Sequence, residues 1–450
     1  MLKAMIKKIL ITVFVIVFIP THLHALSIED ERRLGRQFLE EIKKRYEFLD
    51  DDLCLWYIRD LGEYLTSFLS VRHFNYQFYI IKADEINAFA APGGNIFLFT
   101  GLLNMVRSCD ELVSVLCHEM AHVSLRHLSK RIERERKIGF ATLAGMLVGA
   151  LVGGKASSAV ITGSIAAGMH LRLSFSRTEE TEADTLGVEY MEKSGFDPKA
   201  SLKILKTLKD LQMMNPQNIP PYLLTHPLPE ERISHLESLL QGKEGRAGAE
   251  VSRFRKLFSY LKIIVKARTS DDAQREISSL LKESPNDPKA LLGMGVLKAK
   301  YNEFQDASQF LLKAYSLDKD NVFIAVELAK VYQLMGMPDK AIDILDGFKD
   351  YNIPLITYLL AYSYQQQEEY SKAISLYRWL LSYGYRKKEL FYNIGICYGR
   401  ENRLALAHYH FGLYFKILGN PSKAIFHLKK ALKLTNNMAL RKKIQKELKR

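Results

Sequence analysis

The run Ser108-Cys109-Asp110-Glu111-Leu112-Val113-Ser114-Val115-Leu116-Cys117-His118-Glu119-Met120-Ala121-His122 reads as the opening of a long helix. Ser108 with Glu111 three residues on forms a capping box, so the helix is expected from Asp110 to about Lys137. Within it, His118-Glu119-Met120-Ala121-His122 has the form H-E-x-x-H, and helical residues four apart project from one face. Both imidazoles can reach a single ion, and zinc, one per chain, is the expectation. Glu119, a quarter turn from His118, can point toward a water on that ion and take its proton. The bland alternative is a polar helix with incidental histidines, a pattern that arises by chance in roughly one chain of this length in a hundred. His127 does not fit the pattern and reads as a surface residue.

A catalytic zinc usually takes three protein ligands and keeps a fourth position for water or substrate. Downstream, Ser176-Arg177-Thr178-Glu179-Glu180-Thr181-Glu182-Ala183-Asp184 precedes an apolar-periodic run and reads as a second helix. On it Glu180 and Asp184 share a face. Glu180 is the expected third ligand, and Asp184 is expected to accept an N–H from a ligating histidine, which fixes its tautomer. Glu182 lies about 200° round the helix from Glu180 and should not compete there. Glu179 is the more credible rival.

At 450 residues and 48% hydrophobic composition the chain can bury two cores, so two or more domains are expected. Residues 1–25 carry Lys3, Lys7 and Lys8, then the apolar run Ile9 to Ile19, and end in Leu23-His24-Ala25. That is the layout of a secretory signal, with cleavage expected after Ala25 and a periplasmic destination. The apolar run is too short to span a bilayer, which needs about 20 residues. Export permits disulfides among Cys54, Cys109, Cys117 and Cys397, although Cys109 and Cys117 are about 12 Å apart along one helix and should not pair. The formal charge of +14, lowered by three if the signal is removed, comes with no base-reading motif or phosphate loop. Nucleic acid is therefore not an expected partner, and the basic end from Arg441 to Arg450 reads as a solvated helix face.

Helices are expected from Ile28 to Phe48 and from Asp51 or Asp52 to Leu69. The runs Tyr76 to Lys82, Ile86 to Ala90 and Ile96 to Thr100 read as a small sheet ending in a hairpin at Ala91-Pro92-Gly93-Gly94. The apolar, glycine-rich stretch from Ile138 to Met169 reads as two packed helices near the site, with membrane contact peripheral at most. Pro216, Pro220, Pro221, Pro227 and Pro229 break regular helix, and a polar segment follows. The expected division is a signal over 1–25, a metallopeptidase domain over 26–241, a linker over 242–250 and a helical array over 251–450.

In that array Ala273, Ala307 and Ala341 recur every 34 residues, Ala373 follows after 32, Ala407 after 34 and Ala424 after 17. Twelve residues before most of them stands a small residue: Gly295, Ala329, Ala361, Gly395 or Gly412. The period resembles that of tetratricopeptide repeats, which hold protein partners. The 17-residue step implies that the helix from Ala407 to Leu418 ends one unit and begins the next. The fold expected overall is mainly α with a small β-sheet: an H-E-x-x-H metallopeptidase domain, which resembles the gluzincin type, followed by an α-helical solenoid.

These motifs together resemble the Ste24/HtpX-type gluzincin metallopeptidases, and among them the exported BepA-like proteins, the beta-barrel assembly-enhancing proteases. The residues that carry the likeness are Asn87-Ala88-Phe89-Ala90-Ala91-Pro92-Gly93-Gly94, the motif His118 to His122, and Glu180 with Ala183-Asp184. The resemblance implies that Asn87, Ala88, Phe89 and Ala90 form an exposed edge strand on which a substrate backbone is laid. It implies that Thr225-His226-Pro227 brings His226 to the open zinc position to hold the enzyme latent. It further implies envelope proteins in extended form as substrates and outer-membrane assembly machinery as a partner of the repeats. A chaperone-like factor with a closed zinc site is the competing expectation.

Overall fold

The computed structural model describes residues 26–134, 174–217 and 219–449. The signal-like segment 1–25 and the apolar segment 138–169 thus lie wholly outside the described residues. Among the described residues the first two helices are α1 (Ile28–Arg45) and α2 (Asp52–Thr66). Ser27 Oγ caps the first by accepting from Asp30 N, and Asp51 caps the second by accepting from Leu53 N and Cys54 N. A three-stranded sheet follows, β1 (Gln77–Ile81), β2 (Ala88–Ala91) and β3 (Asn95–Phe99), in the order β1-β3-β2. The hairpin β2–β3 is antiparallel, its turn made by Gly93 and Gly94 at φ 80° and 81°. β1 lies parallel to β3, Gln77 opposite Asn95.

After α3 (Thr100–Met105) comes α4 (Cys109–Ser124), which carries the H-E-x-x-H motif. It is shorter than expected. The chain leaves the helix at Leu125 and Arg126, the latter at φ 55°, and starts again as α5 (His127–Arg134). No glycine or proline marks this break in sequence. Arg126 is held there by Glu31 of α1, its Nε 2.7 Å from Oε1, and by the Leu26 carbonyl.

Next are α6 (Arg177–Ser194), α7 (Lys199–Met214), the short α8 (Pro221–Thr225) and α9 (Glu230–Leu239). Ser176 and Glu179 complete a capping box on α6, and α6 packs closely along α4. That pairing faces Glu180 and Asp184 toward the two motif histidines. Gly187 permits it, since a Cβ there would come within 3.3 Å of the His118 backbone.

A long helix, α10 (Ala249–Thr269), joins the preceding elements to the array. Tyr57 OH donates to Phe254 O, Arg255 pairs with Asp110, and one continuous apolar core runs from α2 into the repeats. The array comprises α11 (Ala273–Glu283), α12 (Pro288–Lys300), α13 (Phe304–Leu317), α14 (Val322–Leu334), α15 (Pro338–Asp346), α16 (Pro354–Gln366), α17 (Tyr370–Ser382), α18 (Lys388–Arg400), α19 (Leu404–Ile417), α20 (Pro421–Leu434) and α21 (Met438–Lys449). The periodic small residues sit where neighbouring helices touch: a Cβ on Gly295 would lie 2.5 Å from Leu311, and one on Gly412 2.7 Å from Leu428. Gly412 of α19 thus meets α20, while Gly395 of α18 meets Phe411 of α19. The helix that breaks the 34-residue period packs as a member of both pairs.

The array curls back onto the start of α2. Asp51 pairs with Arg268 at 2.6 Å, Arg268 reaches Glu327, and Lys330 pairs with Glu327 at 2.8 Å. Further on, Tyr385 OH donates to Asp52 and Lys387 pairs with Asp52 at 2.6 Å. Burial would raise the pKa of Asp51, but Lys330 and Arg268 outweigh it and hold the carboxyl at about 2. Its unfolded value is about 3.9, so this stabilisation is complete above that pH and is lost as pH falls toward 2. Asp51→Ala removes both the cap and the ion pair and is expected to destabilise the protein by about 3 kcal/mol at pH 7. Denaturant melts at pH 7 and pH 2.5 check this: the gap between wild type and variant should shrink at the lower pH.

Candidate metal centre

His118, His122, Glu180 and His226 each offer a donor atom, and these four atoms all lie within 4.8 Å of one another. His118 Nε2 is 3.0 Å from His122 Nε2 and 3.3 Å from His226 Nδ1. Glu180 places Oε1 2.9 Å from His226 Nδ1 and 3.4 Å from His122 Nε2. Donors about 2.0 to 2.1 Å from a tetrahedral ion stand roughly 3.3 Å apart, so this set has the dimensions of a zinc site. It also has the chemistry, three imidazoles and a carboxylate, buried and converging. Glu119 is not one of the four. Its Oε1 is buried without a hydrogen-bond partner, and His226 Nε2, equally unpartnered, is 3.4 Å away.

Surrounding groups hold these side chains in place. Asp184 accepts from His118 Nδ1 at 3.0 Å. Arg232 forks onto Asp184 at 2.6 and 2.9 Å and reaches Glu180 at 2.5 Å. No local spacing marks Arg232 for this buried position against both carboxylates, which depends on how α9 folds over α6. Glu179 is spent on the capping box and on Arg131, so it is no rival to Glu180. Phe175 stacks on His122 with ring centroids 3.9 Å apart, and Tyr222 stacks on His226 at 4.5 Å.

Electrostatics follow from burial and pairing. Burial alone would raise the carboxylates, but Arg232 and the histidines outweigh it, holding Asp184 at about 2 and Glu180 well below the usual range. Burial would lower His118, yet hydrogen bonds to Asp184 and Glu180 win and lift it to about 9. For His122 burial wins and keeps the ring neutral.

Two expectations need correction. His127 is buried, its Nδ1 2.9 Å from His122 Nδ1 and its Nε2 3.0 Å from Glu182. The helix break at Arg126 turns it inward. The strand Ala88–Ala91 is an edge of the sheet by pairing order, but it is not exposed: Asn87, Ala88, Phe89 and Ala90 are all buried. The motif helix packs against it, and Tyr222 N donates to Ile86 O just before it. Phe99 N donates to Asn87 O, so odd-numbered backbone groups face β3 and those of Ala88 and Ala90 face outward. Ala90 N–H is taken by Glu119 Oε2 at 2.9 Å. An open cleft of about 480 Å³, bounded by Phe175, Arg177, Leu228 and Pro229, leads from the surface to Glu180. The four cysteines are buried and unpaired.

An H-E-x-x-H helix whose histidines meet a glutamate from a following helix is the arrangement a zinc metallopeptidase site requires. Residues 56–240 match Peptidase family M48 and residues 405–438 match a tetratricopeptide repeat. It is similar to the beta-barrel assembly-enhancing protease of Escherichia coli (strain K12), 35% identical over 212 residues, which are 46% of this chain and 43% of that one. The chain thus spans less than half the length of this relative. The mitochondrial metalloendopeptidase OMA1 of Schizosaccharomyces pombe is 28% identical over 223 residues, 48% of this chain and 62% of that one. A solved structure described as YrrB, a TPR protein with an unusual peptide-binding site, matches at 20% identity and TM-score 0.28, covering 38% of this chain and 97% of that one.

Proposed function

We propose that the chain is a zinc-dependent endopeptidase of the cell envelope that cleaves misfolded or stalled outer-membrane proteins, with its repeats docking substrate or assembly machinery. The observation that carries the reading is the convergence of His118, His122, Glu180 and His226 beside Glu119. Three of these, His118, His122 and Glu180, would hold one zinc ion. When bound, it would polarise a peptide carbonyl and make water acidic enough to deprotonate near neutral pH. Glu119 would take a proton from the attacking water and pass it to the leaving amine. Arg232 keeps Glu180 and Asp184 ionised and steady. His118 is oriented by Asp184.

His226 fills the position that water or substrate needs. In this arrangement the enzyme is closed, and Glu119 is tied to Ala90 N–H. For an extended peptide to lie along the outward groups of Ala88 and Ala90, α8 must first move off this buried edge; the peptide then competes for that N–H and frees Glu119 for the water. Substrate binding and assembly of the catalytic geometry are thereby coupled. The closed position of His226 equally favours a second reading, a scaffold or chaperone that works through its repeats with the zinc site latent. The layout of residues 1–25 supports a periplasmic location with cleavage after Ala25, and among the described residues no helix is long and apolar enough to cross a membrane.

The ligand assignment is tested by Glu180→Gln, since a neutral amide is a poor zinc ligand. Its zinc affinity is expected to fall by more than the roughly 10 to 100-fold that loss of an outer partner costs. Metal analysis after dialysis against a weak chelator reads the difference, and wild-type occupancy in this variant rules out Glu180 as a ligand.

A further inference from the structure

In a buried site both nitrogens of a ligating imidazole need partners. His118 has the carboxylate of Asp184 on its Nδ1. His122 has another imidazole, that of His127, at 2.9 Å, and His127 passes the contact on to Glu182 at 3.0 Å. The proton positions follow from the partners. His122 Nε2 faces His118 and Glu180, so its proton is on Nδ1 and is donated to His127 Nδ1. His127 then carries its own proton on Nε2 and donates it to Glu182. One tautomer is set at each ring.

We infer that His127 and Glu182 are positioning residues, which hold His122 in the tautomer and orientation that bind the metal. The inference deepens the zinc reading above and rests on it. A second, independent observation is the backbone. Arg126 occupies the left-handed region at φ 55°, which a non-glycine residue enters at a cost, and Glu31 and Leu26 anchor it there. Were α4 continuous, residue 127 would stand about 140° round the helix from His122 and could not meet its ring. The break brings the His127 ring behind His122, where Phe175, itself covered by Arg131, lies beside it. Glu182 completes the set on α6: Glu180 on the metal, Asp184 on His118, and Glu182 on the far side through His127.

The test is the zinc dissociation constant of the full chain, measured by competition with a chromophoric chelator, beside the melting temperature of each metal-free protein. His127→Leu keeps apolar volume without an acceptor and is expected to weaken zinc binding about 10 to 100-fold. His127→Asn places an amide oxygen near the former Nδ1 and is expected to recover most of that loss. Glu182→Ala, at a half-exposed position that costs little folding energy, is expected to weaken binding several-fold with an unchanged metal-free melt. Equal losses in His127→Leu and His127→Asn indicate packing alone and overturn the inference, as does wild-type affinity in His127→Leu. Wild-type protein that binds no zinc overturns the metal reading itself, a result distinct from a tight wild type with indifferent variants.

Discussion

Glu119→Gln is expected to lower peptide hydrolysis by about 10² to 10⁴-fold while zinc content stays at the wild-type level. The separation of the two readouts follows from geometry. Glu119 is excluded from the cluster of four donors, and its carboxylate lies between Ala90 N–H and His226 on the side where a water would sit. An amide in its place keeps one hydrogen bond but cannot accept a proton. Casein cleavage and metal analysis on the same preparation check both halves. Loss of zinc in Glu119→Gln would assign Glu119 to the metal and reverse the roles. The same variant separates the two functional readings in cells: an envelope phenotype that disappears with Glu119 belongs to a protease, and one that persists belongs to the repeats.

His226→Ala is expected to raise basal cleavage about tenfold or more, including cleavage of the protein by itself, with zinc retained by His118, His122 and Glu180. A closed form favoured by about 1.4 kcal/mol leaves roughly one molecule in ten open, so removing the blocking ring recovers the rest. His226 ends the short helix α8, its N–H bonded to Tyr222 O and its ring stacked on Tyr222, followed by Pro227. That segment can swing without unravelling a long helix. Lower turnover at full zinc occupancy would instead make His226 a group that steadies the developing oxyanion.

What could be read from the sequence was what depends on short spacing. His118 and His122, Glu180 and Asp184 are each four apart on a helix, and the array announces itself by its 34-residue period. The β2–β3 hairpin follows from Pro92-Gly93-Gly94. What escaped depends on the chain meeting itself. His127 was misplaced because Leu125-Arg126 carries no breaker residue, and the turn there is held by Glu31, 95 positions away. Glu182 points away from Glu180, as its 200° offset requires, yet it serves the site from behind through His127. Arg232 reaches the centre only because α9 folds over α6, and Tyr222 because α8 is tied to Ile86 O. The parallel pairing of β1 with β3 and the return of the array to Asp51 and Asp52 are equally long-range.

The most direct test is to purify the protein, measure its zinc, and follow casein cleavage before and after a chelator, with zinc added back. The predicted result is about one zinc per chain, low basal cleavage that the chelator abolishes, and recovery on zinc return. Cleavage that survives complete removal of the metal would contradict the assignment of His118, His122 and Glu180 to a catalytic zinc.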